Sequence, residues 1–94
     1  MTYELVFDPR AFKEWASLGD TVKNQFKKKL ANVLVNPRVE SARLHGLPDC
    51  DKIKLRSQGY RLVYQVQDYV VTVCVIAIGK REKSAVYHDV NKRL

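Results

Sequence analysis

Four cations lie close together in the middle of the chain, and their spacing places them on one surface. Lys52, Lys54 and Arg56 alternate with aliphatic residues, and alternate side chains of a strand point to the same face. Residues 57–59 (Ser-Gln-Gly) have the composition of a short hairpin turn, because glycine adopts the positive φ that such turns require. In the returning strand, Arg61 lies on one face and Tyr60, Leu62 and Tyr64 lie on the other. The sequence therefore predicts a sheet with one apolar face and one cationic face.

A cationic strand face is either a solvated surface or a site for phosphate chemistry. RNA carries its own nucleophile, the ribose 2′-hydroxyl, so a protein that cleaves RNA needs to align this group, transfer protons and neutralise the charge that develops around phosphorus. Lysine and arginine suit the last task, and the guanidinium of arginine binds phosphate through two hydrogen bonds at once. The pattern alone is equally compatible with a solvated face and with a nucleic-acid surface.

The charge balance of the whole chain favours a polyanionic partner, either nucleic acid or an acidic protein. The 94 residues carry 17 basic and 10 acidic side chains, which gives a net charge of +7 and a pI near 9.6. Several of the lysines fall on the polar side of one predicted helix, where a solvated outer face is the commoner explanation. If they are functional, they provide a salt-dependent attraction to a nucleic-acid backbone. The candidates for such contacts with RNA are Lys23, Lys27, Lys28 and Arg56.

Other kinds of site have little support in the sequence. His45 and His88 are far apart and have no acidic or cysteine neighbours at ligand spacing, so we expect no metal and no cofactor. Cys50 and Cys74 lack the spacing of a metal or redox motif, and we expect reduced thiols in a cytoplasmic protein. The first residues lack the pattern of a signal peptide. The longest apolar run, residues 70–78, is about half the length of a membrane span.

The hydrophobic periodicity predicts one α+β domain over residues 1–94, with the element order β-α-α-β-β-β-α. A strand over residues 2–7 is followed by Asp8 and Pro9, which are suited to cap and begin a helix. Asp20 is predicted to cap a second helix, which ends before Asn36 and Pro37. The turn between the two helices is so short that they must form an antiparallel hairpin.

Apolar residues at helical spacing predict which side of each helix is buried. In the first helix they include Phe12 and Trp15, which we expect to pack in the core. Residues 70–78 are β-branched almost throughout, which predicts a central strand buried on both faces. The last predicted helix, from residue 82 onward, has few apolar residues, so we expect it to dock only weakly on a mostly antiparallel sheet.

Four stretches of the chain closely resemble the RelE family, within the RelE/ParE superfamily of bacterial toxin–antitoxin pairs. These stretches are residues 7–8, 44–50, 52–65 and 79–87, and the similarity extends over essentially all 94 residues. The resemblance implies a compact sheet with a helical hairpin packed on it. It also implies a ribosome-dependent endoribonuclease that cleaves mRNA in the ribosomal A site by metal-independent attack of the 2′-hydroxyl, and so inhibits translation.

The resemblance assigns roles to five residues of this sequence. Lys52 and Lys54 match the lysines that contact and stabilise the phosphate, and Lys52 is also implicated in proton transfer. Arg61 matches the arginine that clamps the phosphate. Arg81 matches the arginine proposed to assist the leaving oxygen, and Tyr87 matches the tyrosine proposed as general base.

A tyrosine base at neutral pH requires a shifted pKa. The pKa of a free tyrosine is near 10, whereas opposite charges within about 4–6 Å lower a pKa by roughly 1–3. A pocket that holds Lys52, Lys54, Arg61 and Arg81 would therefore make Tyr87 a usable base.

The resemblance also implies partners. A RelB-like antitoxin is expected to cover or displace the terminal segment that carries Tyr87. The other expected partners are mRNA and the A site of the small ribosomal subunit, with operator DNA reached only through the antitoxin and no membrane. Two alternatives stay open on the same fold: a non-catalytic inhibitor that binds RNA or the ribosome, and a gyrase poison like the ParE relatives. The joint presence of Arg61, Arg81 and Tyr87 favours the enzyme.

Overall fold

The computed structural model describes residues 2–37, 49–55, 58–80, 90 and 92–93. Within these residues the elements are β1 (Glu4–Phe7), α1 (Pro9–Ala16), α2 (Asp20–Val35), β2 (Cys50–Leu55), β3 (Tyr60–Gln67) and β4 (Thr72–Lys80), with a 3₁₀ turn at Asp68–Val70. The strands form one sheet in the order β1-β4-β3-β2, in which β1 and β4 are parallel and the other pairs antiparallel. The predicted α+β class and the central position of β4 are confirmed, but the strand begins at Thr72 and not at residue 70, because the chain turns at Asp68–Val70 and leaves Val70 exposed. The helix predicted from residue 82 onward falls largely outside the described residues. In that region Val90, Lys92 and Arg93 are described, and they are helical.

The start of α1 follows the prediction. Asp8 is the N-cap, its carboxylate accepts a hydrogen bond from the backbone N–H of Arg10 at 2.9 Å, and Pro9 occupies the first helical position. The guanidinium of Arg10 also binds this carboxylate at 3.1 Å, and this hydrogen bond lowers the pKa of Asp8. Because proline needs no hydrogen-bond acceptor and Asp8 satisfies the next N–H, the helix begins without unsatisfied donors at these positions.

The start of α2 differs from the prediction by one residue. Gly19 is the N-cap, with an extended backbone (φ −68°, ψ 159°), and Asp20 is the first helical residue. The prediction that Asp20 caps this helix is therefore wrong. Its carboxylate lies instead in the first turn, where the positive end of the helix dipole favours an anion. The helix ends at Val35, immediately before Asn36, as predicted.

Both helices pack on one face of the sheet and form the main core. Phe26 of α2 is completely buried, and Trp15 of α1 packs at the edge of this core. The buried members are Ala11, Leu18, Val22, Phe26, Leu30, Val33, Ile53, Leu55, Leu62, Tyr64, Val66, Val73, Val75 and Ile78. The apolar stripe of α2 therefore lies against the apolar faces of β2, β3 and β4.

Phe12 was predicted to pack in the core, and this prediction is wrong. Its side chain is 58% exposed, although its ring contacts Phe7 edge-on with the ring centres 5.7 Å apart. Phe12 lies on α1, which runs beside the four-residue edge strand β1. No further strand of the described sheet extends beyond β1 to cover the ring.

The opposite face of the sheet carries a second, smaller apolar cluster. It contains Cys50, Val63, Ile76, Ala77 and Val90, all buried. The pairing of β3 with β4 shifts by one residue between Val63 and Tyr64. This bulge places the consecutive residues Ile76 and Ala77 on the same face, because the extra residue interrupts the alternation of side chains. Val90 is fully buried here, so this residue of the terminal segment packs on the face away from the helices.

Two phenylalanines test this division between buried and exposed positions. Phe26→Ala should lower the free energy of unfolding by about 3–5 kcal/mol, because it leaves a cavity in a closed core. Phe12→Ala should cost much less, because its ring is mostly in solvent. Urea denaturation of both variants measures the difference, and equal losses would contradict the assignment.

Candidate functional site

The described cations of the predicted site share the sheet face that is turned away from the helices. On β2, Ile53 and Leu55 point into the main core, so Lys52 and Lys54, which alternate with them, point to the other face. On the partner strand, Arg61 lies directly opposite Lys54. All three cations are half-buried. The cationic face predicted from the alternation of residues is therefore confirmed for Lys52, Lys54 and Arg61.

The hairpin places two like charges opposite each other. Arg61 has Lys54 as its neighbour on β2 and Gly79 as its neighbour on β4. Like charges directly opposite each other in a sheet repel, and glycine contributes no side chain at the position beside Arg61. Gly59 adopts a positive φ of 68° in the turn, as predicted. An anion that binds between Lys54 and Arg61 would relieve their repulsion, so the geometry suits a phosphate group.

One lysine of α2 joins this region, and it is not among those selected from the sequence. A pocket of about 250 Å³ lies between α2 and the edge strand β2. Lys29 lines it together with Lys52 and Lys54, and the other lining residues are Asn32, Val33, Ile53 and Tyr64. Lys29 precedes the buried Val33 by four residues, and this spacing places it on the flank of α2 that faces the sheet.

The remaining cations that the sequence suggested for RNA binding or catalysis do not share the position of Lys52, Lys54 and Arg61. Lys27 and Lys28 are exposed on α2, and Lys23 is half-buried. Arg56, Arg81 and Tyr87 lie outside the described residues, so their roles stay predictions. Lys80, which pairs with Tyr60 at the end of β4, directly precedes Arg81 in the sequence.

The buried tyrosine of the described region is not suited to act as a base. The hydroxyl of Tyr64 donates a hydrogen bond to the carbonyl oxygen of Pro37 at 2.9 Å and lies 3.5 Å from a carboxylate oxygen of Asp51. Burial, and then the negative charge of Asp51, raise the pKa of Tyr64 well above its usual value. Tyr64 is therefore neutral at physiological pH, and its hydroxyl connects β3 to Pro37 in the segment after α2.

Both cysteines are free thiols, as predicted. Burial raises the pKa of the Cys50 thiol to about 11, and the carboxylates of Asp49 and Asp51 add to this effect. Burial also raises the pKa of Cys74. Because the thiolate is the reactive form, both cysteines are structural residues of the smaller cluster rather than nucleophiles.

Two further features of the described residues bear on possible functions. No group of three or more histidine, cysteine or acidic residues is arranged there to hold a metal ion. None of the helices in that part of the chain is long and apolar enough to cross a membrane.

The chain is similar to known proteins along its whole length. The family model described as the ParE toxin of the type II toxin–antitoxin system parDE matches residues 5–85. The mRNA interferase toxin RelE of Escherichia coli is 61% identical over 94 residues, which are 100% of this chain and 99% of that protein. A mutant of E. coli toxin RelE in the free state superposes with a TM-score of 0.93 at 60% identity, over 100% of this chain and 99% of the other. The toxin in the intact E. coli RelBE toxin–antitoxin complex superposes with a TM-score of 0.83 at 62% identity, over 86% of this chain and 99% of the other.

The fold and the sequence similarity define the toxin class of type II toxin–antitoxin systems. The chain belongs to the RelE/ParE family of these toxins. The resemblance seen in the sequence is thus confirmed.

The raised pKa of Cys50 predicts a loss of stability at alkaline pH. The folded protein holds this proton more tightly than the unfolded chain does, so the stabilisation is complete below pH 9 and is lost as the pH rises towards 11. Cys50→Ala should flatten this part of the profile of unfolding free energy against pH. Cys74→Ala, at a half-buried position, should change the slope less. Identical slopes for Cys50→Ala and the unmodified protein would contradict the prediction.

Proposed function

We propose that the protein is an mRNA interferase, the endoribonuclease toxin of a type II toxin–antitoxin pair. It cleaves mRNA in the A site of the ribosome by metal-independent attack of the 2′-hydroxyl, and it thereby stops translation in the cytoplasm. The full-length identity of 61% to the mRNA interferase toxin RelE supports this function. The single structural observation that carries it is the cross-strand pair Lys54–Arg61, with Lys52 two residues away on the same face.

The three described cations act on the charge that develops during the reaction. Attack by the 2′-hydroxyl adds negative charge to the non-bridging oxygens of the phosphate, and fixed cations stabilise that state more than the ground state. Arg61 binds the phosphate through its guanidinium, while Lys52 and Lys54 contribute compact charges from the neighbouring strand. Because these charges are fixed by the hairpin, little reorganisation is needed as the reaction proceeds.

The proton transfers are proposed for the terminal segment. Tyr87 removes the proton of the 2′-hydroxyl, and Arg81 stabilises the leaving 5′-oxygen, with Lys52 close to the proton that this oxygen receives. A tyrosine with its usual pKa near 10 is a weak base at neutral pH, and cations within about 4–6 Å of Tyr87 would lower this pKa. The phosphate that binds cancels part of this effect, so the tyrosine remains a modest base.

The composition of the proposed site, which is mainly cationic, explains why cleavage depends on the ribosome. A site made mainly of cations holds phosphates but does not itself bend RNA into the in-line geometry. Alignment of the reacting atoms accounts for a large part of such a rate acceleration. The ribosome supplies it by holding the codon, whereas the exposed lysines of α2 contribute attraction to ribosomal RNA.

The partner that inhibits the toxin is a RelB-like antitoxin. Relatives of this chain have been solved as complexes with RelB, among them the intact E. coli RelBE complex. The net charge of +7 suits an acidic antitoxin segment, which competes with RNA for the same cations and covers or displaces the segment with Tyr87. Operator DNA is reached through the antitoxin.

A gyrase-poisoning activity is the second candidate, because the matching family model is described as a ParE toxin. The two functions differ in their products. Primer extension on mRNA from cells that express the toxin reveals codon-phased cuts only for the interferase, and DNA cleaved in complex with gyrase accumulates only for the gyrase poison. Intact mRNA together with arrested translation would indicate a non-catalytic ribosome inhibitor.

The role of Tyr87 is tested with programmed ribosomes. Tyr87→Phe should lower the single-turnover cleavage rate at least about 100-fold, as expected for the loss of a general base, and should leave ribosome binding unchanged. Lys13→Gln, which removes an exposed cation of α1, is the matched control and should cleave normally. Normal cleavage by Tyr87→Phe would remove the tyrosine from the mechanism.

The lysines of α2 are tested through salt dependence. Replacement of Lys23, Lys27 and Lys28 by glutamine should weaken ribosome binding and reduce the slope of log K against log salt, because fewer counterions are released. The cleavage rate at saturating ribosome concentration should not change. A lower rate at saturation, with an unaltered salt slope, would contradict the assignment of these lysines to binding.

A further inference from the structure

The pocket between α2 and β2 combines three kinds of side chain. Lys29, Lys52 and Lys54 give it a cationic rim, and Asn32 adds one amide group. Its floor is apolar and almost fully buried, and it consists of Val33, Ile53 and Tyr64. A single-stranded nucleotide needs the same three components: positive charge for the phosphate, a hydrogen-bonding group for the base edge and an apolar surface for the base face.

The helical spacing directs Lys29 and Asn32 into this pocket. Asn32 follows Lys29 by three residues, and the buried Val33 follows it by four. Residues at these separations lie on one side of a helix. Lys27 and Lys28 are exposed on α2 as well, but they do not line the pocket. The pocket therefore distinguishes Lys29 from two lysines of the same helix that carry the same charge.

The pocket is continuous with the cationic face. β2 is the outermost strand on its side of the described sheet, and Lys54 both lines the pocket and lies opposite Arg61. Lys52 and Lys54 are two residues apart, which is about 6.5–7 Å along a strand. Successive phosphates of an extended RNA strand are separated by a similar distance. A strand whose scissile phosphate lies between Lys54 and Arg61 can therefore reach the pocket with its neighbouring nucleotide.

The size and the lining of the pocket limit what can occupy it. Its volume of about 250 Å³ is below the roughly 300–1,000 Å³ of sites that enclose a whole drug-sized ligand, so it suits one base with the phosphate at the rim. A small inorganic anion would leave the apolar floor and the amide of Asn32 unused. A double helix is unsuitable because its bases are stacked inside it, whereas an unpaired base can turn outward into a pocket.

We propose that this pocket binds one unpaired nucleotide of the codon, next to the scissile phosphate. Lys29 binds the phosphate of that nucleotide, and Asn32 forms hydrogen bonds with the edge of its base. Lys29 therefore contributes affinity for RNA, while Asn32 determines which bases are accepted. This role rests on the proposed function, in which Lys54 and Arg61 hold the phosphate that is cleaved.

Binding is tested on the free, full-length toxin with small probes. The four nucleoside 3′,5′-bisphosphates should shift the backbone amide resonances of residues 29–33 and 52–54, and at least one base should bind more tightly than the others. Inorganic phosphate at equal ionic strength should shift those of Lys54 and Arg61 and leave Asn32 unchanged. Lys29→Gln should weaken nucleotide binding about fivefold, as expected for the loss of one charge-assisted contact. Lys13→Gln, which removes an exposed lysine of α1, is the matched control and should bind as the unmodified protein does.

Base recognition is tested with ribosomes that present different codons in the A site. Asn32→Ala should change the ratio of kcat/KM between preferred and disfavoured codons by at least about fivefold, the lower end of what one base contact contributes. Asn32 is exposed on α2 and alanine favours a helix, so the fold is retained. Lys29→Gln should instead raise KM for every codon and leave kcat within about twofold.

The possible failures are distinguishable. Unshifted resonances at residues 29–33 with all four nucleotides would overturn the pocket, even if the toxin cleaves mRNA. Shifts at Asn32 with hexaglutamate that match those with the nucleotides would overturn it too, and would make the pocket a surface for an acidic protein segment. An equal loss on all codons for Asn32→Ala would overturn base recognition. Intact mRNA on ribosomes treated with the unmodified toxin would be a failure of the proposed function, whereas the resonance shifts decide the nucleotide site independently.

Discussion

The pairing register of β2 with β3 determines where every described charge of the site lies. The register that places Lys54 opposite Arg61 also places Ile53 opposite Leu62, and the latter two are buried in the main core. A shift of one residue would turn the lysines into the core and the aliphatic side chains into solvent. Burial of unpaired charges is far too costly to be tolerated there. The apolar contacts beneath the sheet therefore fix the cations above it, and repulsion between like charges does not displace them.

The two faces of the sheet have different tasks. The helical hairpin closes one face with large aliphatic and aromatic side chains, and this face provides most of the buried apolar surface. The other face carries the cations at one end and the smaller cluster under Val90. The bulge in β4 enlarges that cluster by turning both Ile76 and Ala77 towards it. The described cations and the buried Val90 therefore share the face of the sheet that is turned away from the helices.

The sequence was sufficient for features that depend on local patterns. The alternation of cationic and apolar residues along β2 and β3 predicted the cationic face. Gly59 predicted the turn between these strands, and Asp8 with Pro9 predicted the start of α1. It failed where the outcome depends on distant parts of the chain. Helical spacing placed Phe12 on the apolar side of α1, but it did not show that β1 is the edge strand of the described sheet and leaves this ring exposed. Packing between segments that are remote in sequence determines that Lys29, and not another lysine of α2, lines the pocket beside Lys52 and Lys54. It also determines that Arg93 binds Glu14. The roles of Arg81 and Tyr87 were assigned from the resemblance to the family. Both residues lie outside the described part of the chain.

The bond between Glu14 and Arg93 spans 79 residues, and in the described sheet β1 pairs with β4. Contacts between such distant segments form late, because a long stretch of chain must first be ordered. During synthesis the pairing of β1 with β4 waits until β4 has emerged, and the bond between Glu14 and Arg93 waits until Arg93 has left the exit tunnel. The described sheet is therefore complete only after most of the chain has been made.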